Sequence, residues 1–183
     1  MTQSATTQTP FQWLQEFERR ARQKAKGLPR QEEVRQIWRG IAFRLDDAFL
    51  VTALSEIREI IICPTKLARV PGAKSWIKGI ANVRGMLLPV IDLKECLDGR
   101  LTKMESRIRL VVINQAGIVA GLIVDEVMGI KHFPEQSRNM DTPCRETWLA
   151  PFTRGLFPET DQTWTIFDMQ VLAKSEIFLK AAL

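Results

Sequence analysis

At 183 residues, 45% apolar and 26% charged, the chain suffices for one domain, or two small lobes sharing a core, with an appendage. This is the composition of an ordinary soluble globular protein: it excludes a wholly disordered chain, and the longest apolar stretches, such as Ile60 to Cys63, are far too short to span a bilayer. The net charge of +5 is uneven, because residues 1–36 hold seven Arg and Lys against four Glu; a nearly neutral body with a basic appendage argues against a nucleic-acid-binding core.

Residues 1–9 are small and polar, read as disordered, and have neither the basic start nor the apolar centre of a secretory signal. A helix follows. Thr9 suits its N-cap, Pro10 its first turn, and Gln12 completes a capping box. Phe11, Leu14, Phe17, Ala21 and Ala25 line one face, Trp13 widens it, and Gly27 with Pro29 supplies a stop. That stripe is open to three uses: folding back on the body, docking in a partner's groove, or lying on an anionic membrane surface. Glu16 and Glu18 count against the last.

From about Ile37 the period changes to two. Ile41, Phe43 and Leu45 predict a half-buried strand, Asp46-Asp47 a turn, and Phe49 to Thr52 a second strand. Ser55 to Glu59 reads as a short helix or a polar strand start, Ile60 to Cys63 as a buried strand, and 64–78 as a loop with one helical turn near Trp76. Residues 79–93 predict a hairpin turning at Gly85, where glycine accepts a positive φ, and Pro89 predicts an edge or a bulge in the return strand. Further strands are expected at Ile108–Ile113, Gly117–Val124 and Glu126–Lys131. The proline-rich stretch 132–161 reads as mostly loop, Thr163–Phe167 as a late strand, and Asp168 as the cap of a terminal helix reaching about Lys180. Many short strands, no visible internal repeat and no alternating β/α pattern give an all-β class, barrel or sandwich, with flanking helices.

Reactive chemistry is sparse. His132 is the single histidine, and Cys63, Cys96 and Cys144 are widely spaced without a C-x-x-C pair, as expected of reduced thiols in a cytosolic protein rather than a disulfide framework or a zinc site. A thiolate pair of His132 with Cys96 or Cys144 is the weaker reading; separate structural residues is the stronger. There is no phosphate loop, and Asp92, Asp98, Asp125 and Glu126 read as turn or cap residues. The expectation is no catalytic residue, no metal and no cofactor. Five tryptophans and a pI near 9.4 keep a small-barrel nucleic-acid binder as the competing reading, although tryptophan in strand patterns is more often core.

The hairpin carries a specific resemblance. Ile77-Lys-Gly-Ile-Ala-Asn-Val-Arg-Gly-Met-Leu-Leu-Pro-Val-Ile-Asp-Leu93 resembles the signature hairpin of CheW-like chemotaxis coupling proteins, and Gly121-Leu-Ile-Val-Asp-Glu-Val127 is similar to the family's later strand pair. Phe43-Arg-Leu45 and Ile57-Arg-Glu-Ile60 look like its opening strands, so the likeness covers about residues 37–172. The extension from Thr9 to Lys26 looks like the front end of PilI-type coupling proteins, which serve the chemotaxis-like system controlling type IV pili and twitching. The resemblance implies residues 1–36 as tail and helical extension and 37–183 as the coupling domain, built as two small five-stranded SH3-like barrels sharing a core. It implies a cytoplasmic, non-catalytic adaptor recruited to membrane receptor arrays, without direct membrane insertion and without nucleic acid. Its partners would be the regulatory domain of a CheA-type histidine kinase, on the first barrel, and the cytoplasmic tip of a methyl-accepting receptor, in the groove between barrels. Carried over residue by residue, Gly79, Asn82 and Arg84 match the receptor-side hairpin positions, and Ile57 and Glu59 the kinase-side strand. The Asp46-Asp47-Ala48-Phe49 turn and the 132–161 stretch depart from the family pattern.

Overall fold

The computed structural model describes residues 10–24, 36–103 and 105–180 and divides the chain between Arg35 and Gln36 into two units. In the first, α1 spans Pro10–Lys24. Phe11, Trp13, Leu14 and Phe17 are exposed, and on the opposite face Glu16 pairs with Arg19 at 3.0 Å and Arg20 at 3.2 Å, one turn on. The predicted cap at Thr9 and the stop at Gly27 and Pro29 lie outside the described residues, as does the 1–9 tail.

The second unit has two five-stranded sheets. The middle sheet is continuous in sequence: β3 (Ile57–Ile62), β4 (Ile77–Val83), β5 (Met86–Asp92), β6 (Arg109–Gln115) and β7 (Ile118–Val124), in the order β3-β6-β7-β5-β4. The outer sheet gathers both flanks: β1 (Ile37–Leu45), β2 (Ala48–Ala53), β8 (Glu126–Pro134), β9 (Thr153–Pro158) and β10 (Thr163–Phe167), in the order β8-β1-β2-β10-β9. The all-β class and the two small barrels stand. Two pairings are nonetheless parallel, β5 with β7 and β10 with β2, which short-range sequence pattern does not encode.

Apolar side chains form three stacked layers. Leu110 and Val112 of β6 point into the middle barrel with Val83, Leu88, Val90 and Ile123, whereas the alternate Val111 and Ile113 join Phe43, Leu45, Trp76, Ile91 and Phe167 in a layer shared by both sheets. Ala42, Val51, Phe133, Phe157 and Trp164 fill the outer barrel. β1 is therefore buried on both faces through Phe43, where a half-buried strand was expected. β3 differs the other way: the isoleucine run is an edge strand with Ile62 77% exposed, because β6 covers only one of its sides.

Other elements sharpen or overturn expectations. Leu54–Glu56 is a 3₁₀ turn that leads directly into β3, so the two readings of Ser55 to Glu59 are consecutive. Trp76 sits in a plain turn, closed by Ile77 N–H donating to the Lys74 carbonyl at 2.9 Å, not a helical one. β5 is interior rather than an edge; Pro89 fits because β7 pairs only with Val90–Asp92. α2 (Leu93–Asp98), unexpected from sequence, starts where Asp92 caps the Glu95 N–H, an Asp-x-x-Glu signature hidden in the hairpin's end. Asp168 caps α3 (Met169–Lys174) as expected, but the terminal helix breaks at Ser175, which caps α4 (Glu176–Leu179). β9 lies inside the stretch read as loop.

An internal repeat, invisible as sequence identity, organises both barrels. Trp76-Ile77-Lys78-Gly79-Ile80 corresponds to Phe152-Thr153-Arg154-Gly155-Leu156, and Ile91-Asp92-Leu93 to Phe167-Asp168-Met169, each 16 residues after its aromatic. In both copies the Asp N–H donates to that aromatic's carbonyl at 2.8 Å. The Asp carboxylate caps the next helix and pairs with the cation beside the glycine, Lys78–Asp92 at 3.8 Å and Arg154–Asp168. The glycine has positive φ, +142° at Gly79 and +105° at Gly155, and a Cβ there would strike a loop carbonyl, of Ala68 or of Asn139. The loop makes an isolated bridge to the next residue, Ala68 to Ile80 and Asn139 to Leu156. What recurs is backbone geometry and one buried carboxylate.

The barrels are clasped at the β1–β2 turn. Asp46 accepts from Lys94 Nζ of α2 at 2.6 Å and pairs with Arg100 at 3.1 Å, while its own N–H donates to Asp125 at 2.5 Å. Across the molecule, Glu56 accepts from Thr52 Oγ1 at 2.7 Å and from the Met169 N–H at 3.0 Å, and its carbonyl accepts from Gln115 of β6 at 3.1 Å.

Two outcomes follow. Gly155→Ala combines strain at positive φ with a backbone clash and is expected to cost at least about 2 kcal/mol in urea unfolding, with the slope unchanged. The Lys94 ammonium, through its hydrogen bond, holds the Asp46 carboxyl below its ordinary 3.8. A folded value below the unfolded one means stabilisation that is full above 3.8 and is lost as pH falls through the folded value. Acid unfolding of Asp46→Asn should therefore be less steep below that pH than wild type; equal slopes would refute the clasp.

Candidate functional site

The β4–β5 hairpin turns on Arg84-Gly85, whose φ angles of 50° and 85° give the doubly left-handed turn that matches strand twist. Gly85 accepts this freely, as expected. Arg84 does not: a β-carbon at positive φ costs about 1–2 kcal/mol, and the position is held by Asn82, whose Oδ1 accepts the Gly85 N–H at 2.9 Å. Asn82 is thus a local turn former. The strain presents the Arg84 guanidinium 82% exposed at the tip.

Its partner is the predicted kinase-side Glu59, 21% exposed, with Nη1 3.4 Å from Oε2. The turn and β3 meet again one residue earlier, where Arg58 Nη1 lies 3.7 Å from Met86 Sδ. β3 and β4 are the two edges of the middle sheet, so these contacts close the barrel seam. Ile57 stands opposite Ile113 and packs on the shared layer; the bulge at Arg58 then re-aims β3. Arg84, Asn82 and Glu59 thus meet at one seam, while Ile57, two residues before Glu59, packs inward on the shared layer. Gly79 does not join them: it lies at the far end of β4, tight against Ala68, with a structural task.

The outer barrel closes the same seam with charges reversed. Lys131 on β8 pairs at 2.8 Å with Glu159, just past β9. Glu159 also accepts the Trp164 indole N–H at 2.8 Å, and Lys131 lies 4.4 Å over that ring. Lys131's hydrogen bond holds the Glu159 carboxyl below its ordinary range. That seam is internally satisfied. At the middle seam a guanidinium with five donors makes one long contact to its single ion-pair partner among the described residues. The difference marks Arg84 as the side chain left available.

Sequence reasoning missed the neighbours of this seam. Ile62 and Leu87, 77% and 70% exposed, are apolar side chains of β3 and β5 facing water; the isoleucine run hid the first by resembling a doubly buried strand. Arg58 and Met86 gave no signal.

Elsewhere the side chains take structural tasks. Asp92, 2% exposed, accepts from the Glu95 N–H, the Thr102 N–H and the Thr102 hydroxyl. Asp98 pairs with Arg100, and Asp125 and Glu126 lie beside Arg44. Trp76 and Trp164 are core, and Trp38 packs tilted on Phe157 at 5.2 Å. His132 stands opposite Arg39 on the outer sheet, and no hydrogen bond joins it to a cysteine among the described residues. Nor do the described residues hold a group of three or more potential metal ligands. A cavity of about 490 Å³ under the 142–146 loop, lined by Asp47, Phe49, Arg145 and Gln162, touches none of the predicted site residues.

Burial pushes the Cys96 thiol up to about 12, with the Asp92 charge adding to it, and burial also raises Cys63 and Cys144. Alkylation of the native protein near pH 8 should therefore spare Cys96, followed by mass spectrometry, whereas urea-unfolded chain should react at all three sites. Rapid native modification of Cys96 would contradict this packing.

A CheW-like domain family model matches residues 39–176. The chain is 41% identical over 175 residues to Protein PilI of Pseudomonas aeruginosa, across 96% of this chain and 97% of that one. It is 32% identical over 132 residues to a probable chemotaxis protein CheW of Rhizobium etli, across 72% of this chain and 84% of that one. The crystal structure of scaffolding protein TtCheW from Thermoanaerobacter tengcongensis superposes with a TM-score of 0.66 over 77% of this chain and 95% of that one; at 24% identity it speaks to the fold.

Proposed function

The chain belongs to the CheW-like domain family, and we propose that it is the non-catalytic adaptor coupling the regulatory domain of a CheA-type histidine kinase to the cytoplasmic tip of a methyl-accepting receptor, in a chemotaxis-like system that controls type IV pilus twitching motility. One observation carries the partner assignment: the middle barrel's seam is closed by a strained, exposed arginine with donors to spare, whereas the equivalent seam of the outer barrel is internally satisfied.

A planar guanidinium at a rigid tip suits the carboxylates and carbonyls of a helical receptor tip. Leu87, opposite Asn82, and Ile62, at the other end of β3, add exposed apolar surface of the kind transient interfaces bury. The same ion pair links the receptor-side turn to Glu59 on the proposed kinase-side strand, and Ile57 on that strand packs on the shared layer. A partner that draws on Arg84 therefore changes the load on β3, which is how a receptor shift would bias the kinase without turnover in the adaptor. Each contact, on the order of 1,200 Å² or less, gives roughly micromolar affinity that array avidity reinforces. Cytoplasmic placement with recruitment to receptor arrays accords with the absence, among the described residues, of any helix long and apolar enough to cross a membrane. The competing nucleic-acid reading finds no support: of its stacking candidates, Trp76 and Trp164 are buried, and Trp38 and Trp148 are partly buried against the core layers.

Purified protein should bind a receptor cytoplasmic fragment and the kinase regulatory domain, each measured by calorimetry. Arg84→Glu should weaken receptor binding about tenfold or more, while stability shifts by no more than about 1 kcal/mol, because an exposed ion pair contributes little. Failure of the wild type to bind either partner at tens of micromolar would remove the reading.

A further inference from the structure

The α1 helix has no part in the coupling reading, and it is sorted in two directions at once. Around its axis, Phe11, Leu14 and Phe17 share one side with Glu18, Trp13 stands at its edge next to Arg20, and Glu16 and Arg19 occupy the other side; Phe11, Trp13, Leu14 and Phe17 are each 54% to 69% exposed. Along its axis, the large apolar side chains end at Phe17 and the first turn holds no acidic residue, whereas the second half of the sequence adds four cations, Arg19, Arg20, Arg22 and Lys24. A helix built for a protein groove carries its anchors on through i+7. Here the position seven after Leu14 is Ala21, too small to anchor.

We propose that α1 is a peripheral membrane-binding element that lays its aromatic turns at the headgroup boundary of an anionic bilayer and sets its arginines among the lipid phosphates. Trp and Phe have their preferred level at that boundary, and cations beside them add attraction to anionic lipid. Of the two glutamates that count against this use in the sequence, Glu18 still does, although Arg19, Arg20, Arg22 and Lys24 outnumber the pair, and Glu16 is taken up by its neighbours. Arg19 and Arg20 both engage it, and those hydrogen bonds hold its carboxyl below the ordinary range; the three together stay net cationic. At about 22 Å the 15-residue helix falls short of the roughly 30 Å hydrocarbon core, so it lies on the bilayer rather than crossing it. A single such helix binds reversibly, which suits an adaptor that assembles beside membrane receptors. The inference stands apart from the coupling reading: its failure would leave Arg84 and Glu59 untouched.

The full chain is tested by co-sedimentation with phosphatidylcholine vesicles, with and without about one third phosphatidylglycerol. Pelleting with the anionic vesicles alone is expected, falling as salt is raised. It should be abolished in Phe11→Ala/Phe17→Ala and weakened roughly fivefold per residue in Arg19→Gln and Arg20→Gln. Equal pelleting with neutral vesicles, or none with anionic ones, overturns the proposal. So does a fall of several degrees in the melting temperature of the Phe variant, which would mean the stripe is core. Loss of kinase- or receptor-fragment binding by that variant without any lipid binding in the wild type would assign α1 to a protein groove instead.

Discussion

The molecule depends on strands buried on both faces. β6 alternates Leu110 and Val112 into the middle barrel with Val111 and Ile113 into the shared layer, and β1 does the same for the outer barrel with Ala42 against Phe43. Neither barrel can close its core without the other sheet as a wall. Because packed interiors transmit strain instead of absorbing it, the two barrels behave as one body, and a contact on one is felt by the wall both share. An adaptor needs that property more than it needs any reactive group.

On this wall the chain builds one device twice. A buried carboxylate at the end of a strand, Asp92 or Asp168, starts a helix, engages a cation beside a left-handed glycine, and thereby anchors the strand that carries it. Hydrogen bonds to a charged group contribute about 1.5–3 kcal/mol each, so these buried junctions outweigh an exposed ion pair at well under about 1 kcal/mol. That ordering separates roles. Asp92, Asp168, Gly79 and Gly155 hold the barrels, whereas Arg84 and Glu59 close a seam at little cost, which is why the proposed function puts the partner contact there. The outer barrel, with Lys131, Glu159 and Trp164 locked together, closes its seam with every one of these side chains engaged.

Much of this was legible in the sequence. The period-two pattern gave nearly every strand, Gly85 gave the hairpin tip, Asp168 the last cap, and the hairpin motif the family and the residues around Arg84. What escaped has common causes. α2 hid because Asp92 ends a strand and begins a helix in one residue. β9 hid because prolines and Gly155 read as loop, although Arg154-Gly155-Leu156 repeats Lys78-Gly79-Ile80 with the same glycine and like residues on either side. The repeat itself is a sparse pattern of glycine, aspartate and like residues spread over 16 positions, which gains meaning only once both copies show the same backbone geometry. The pairing of Glu59 with Arg84, 25 positions apart, follows from closing a five-stranded sheet, so it became visible only with the topology. Gly79, a motif residue matched to the receptor side, has a packing reason of its own: a Cβ there would strike the Ala68 carbonyl.

The central claim is that partners engage this adaptor at the middle barrel's seam. Amide hydrogen exchange of the chain, with and without a saturating receptor cytoplasmic fragment, tests it without any substitution. The account requires slowed exchange at residues 82–87 and at the start of β3 around 57–60. Protection confined to β8, β9 and β10 of the outer barrel, with the Arg84 turn exchanging as in the free protein, would contradict it.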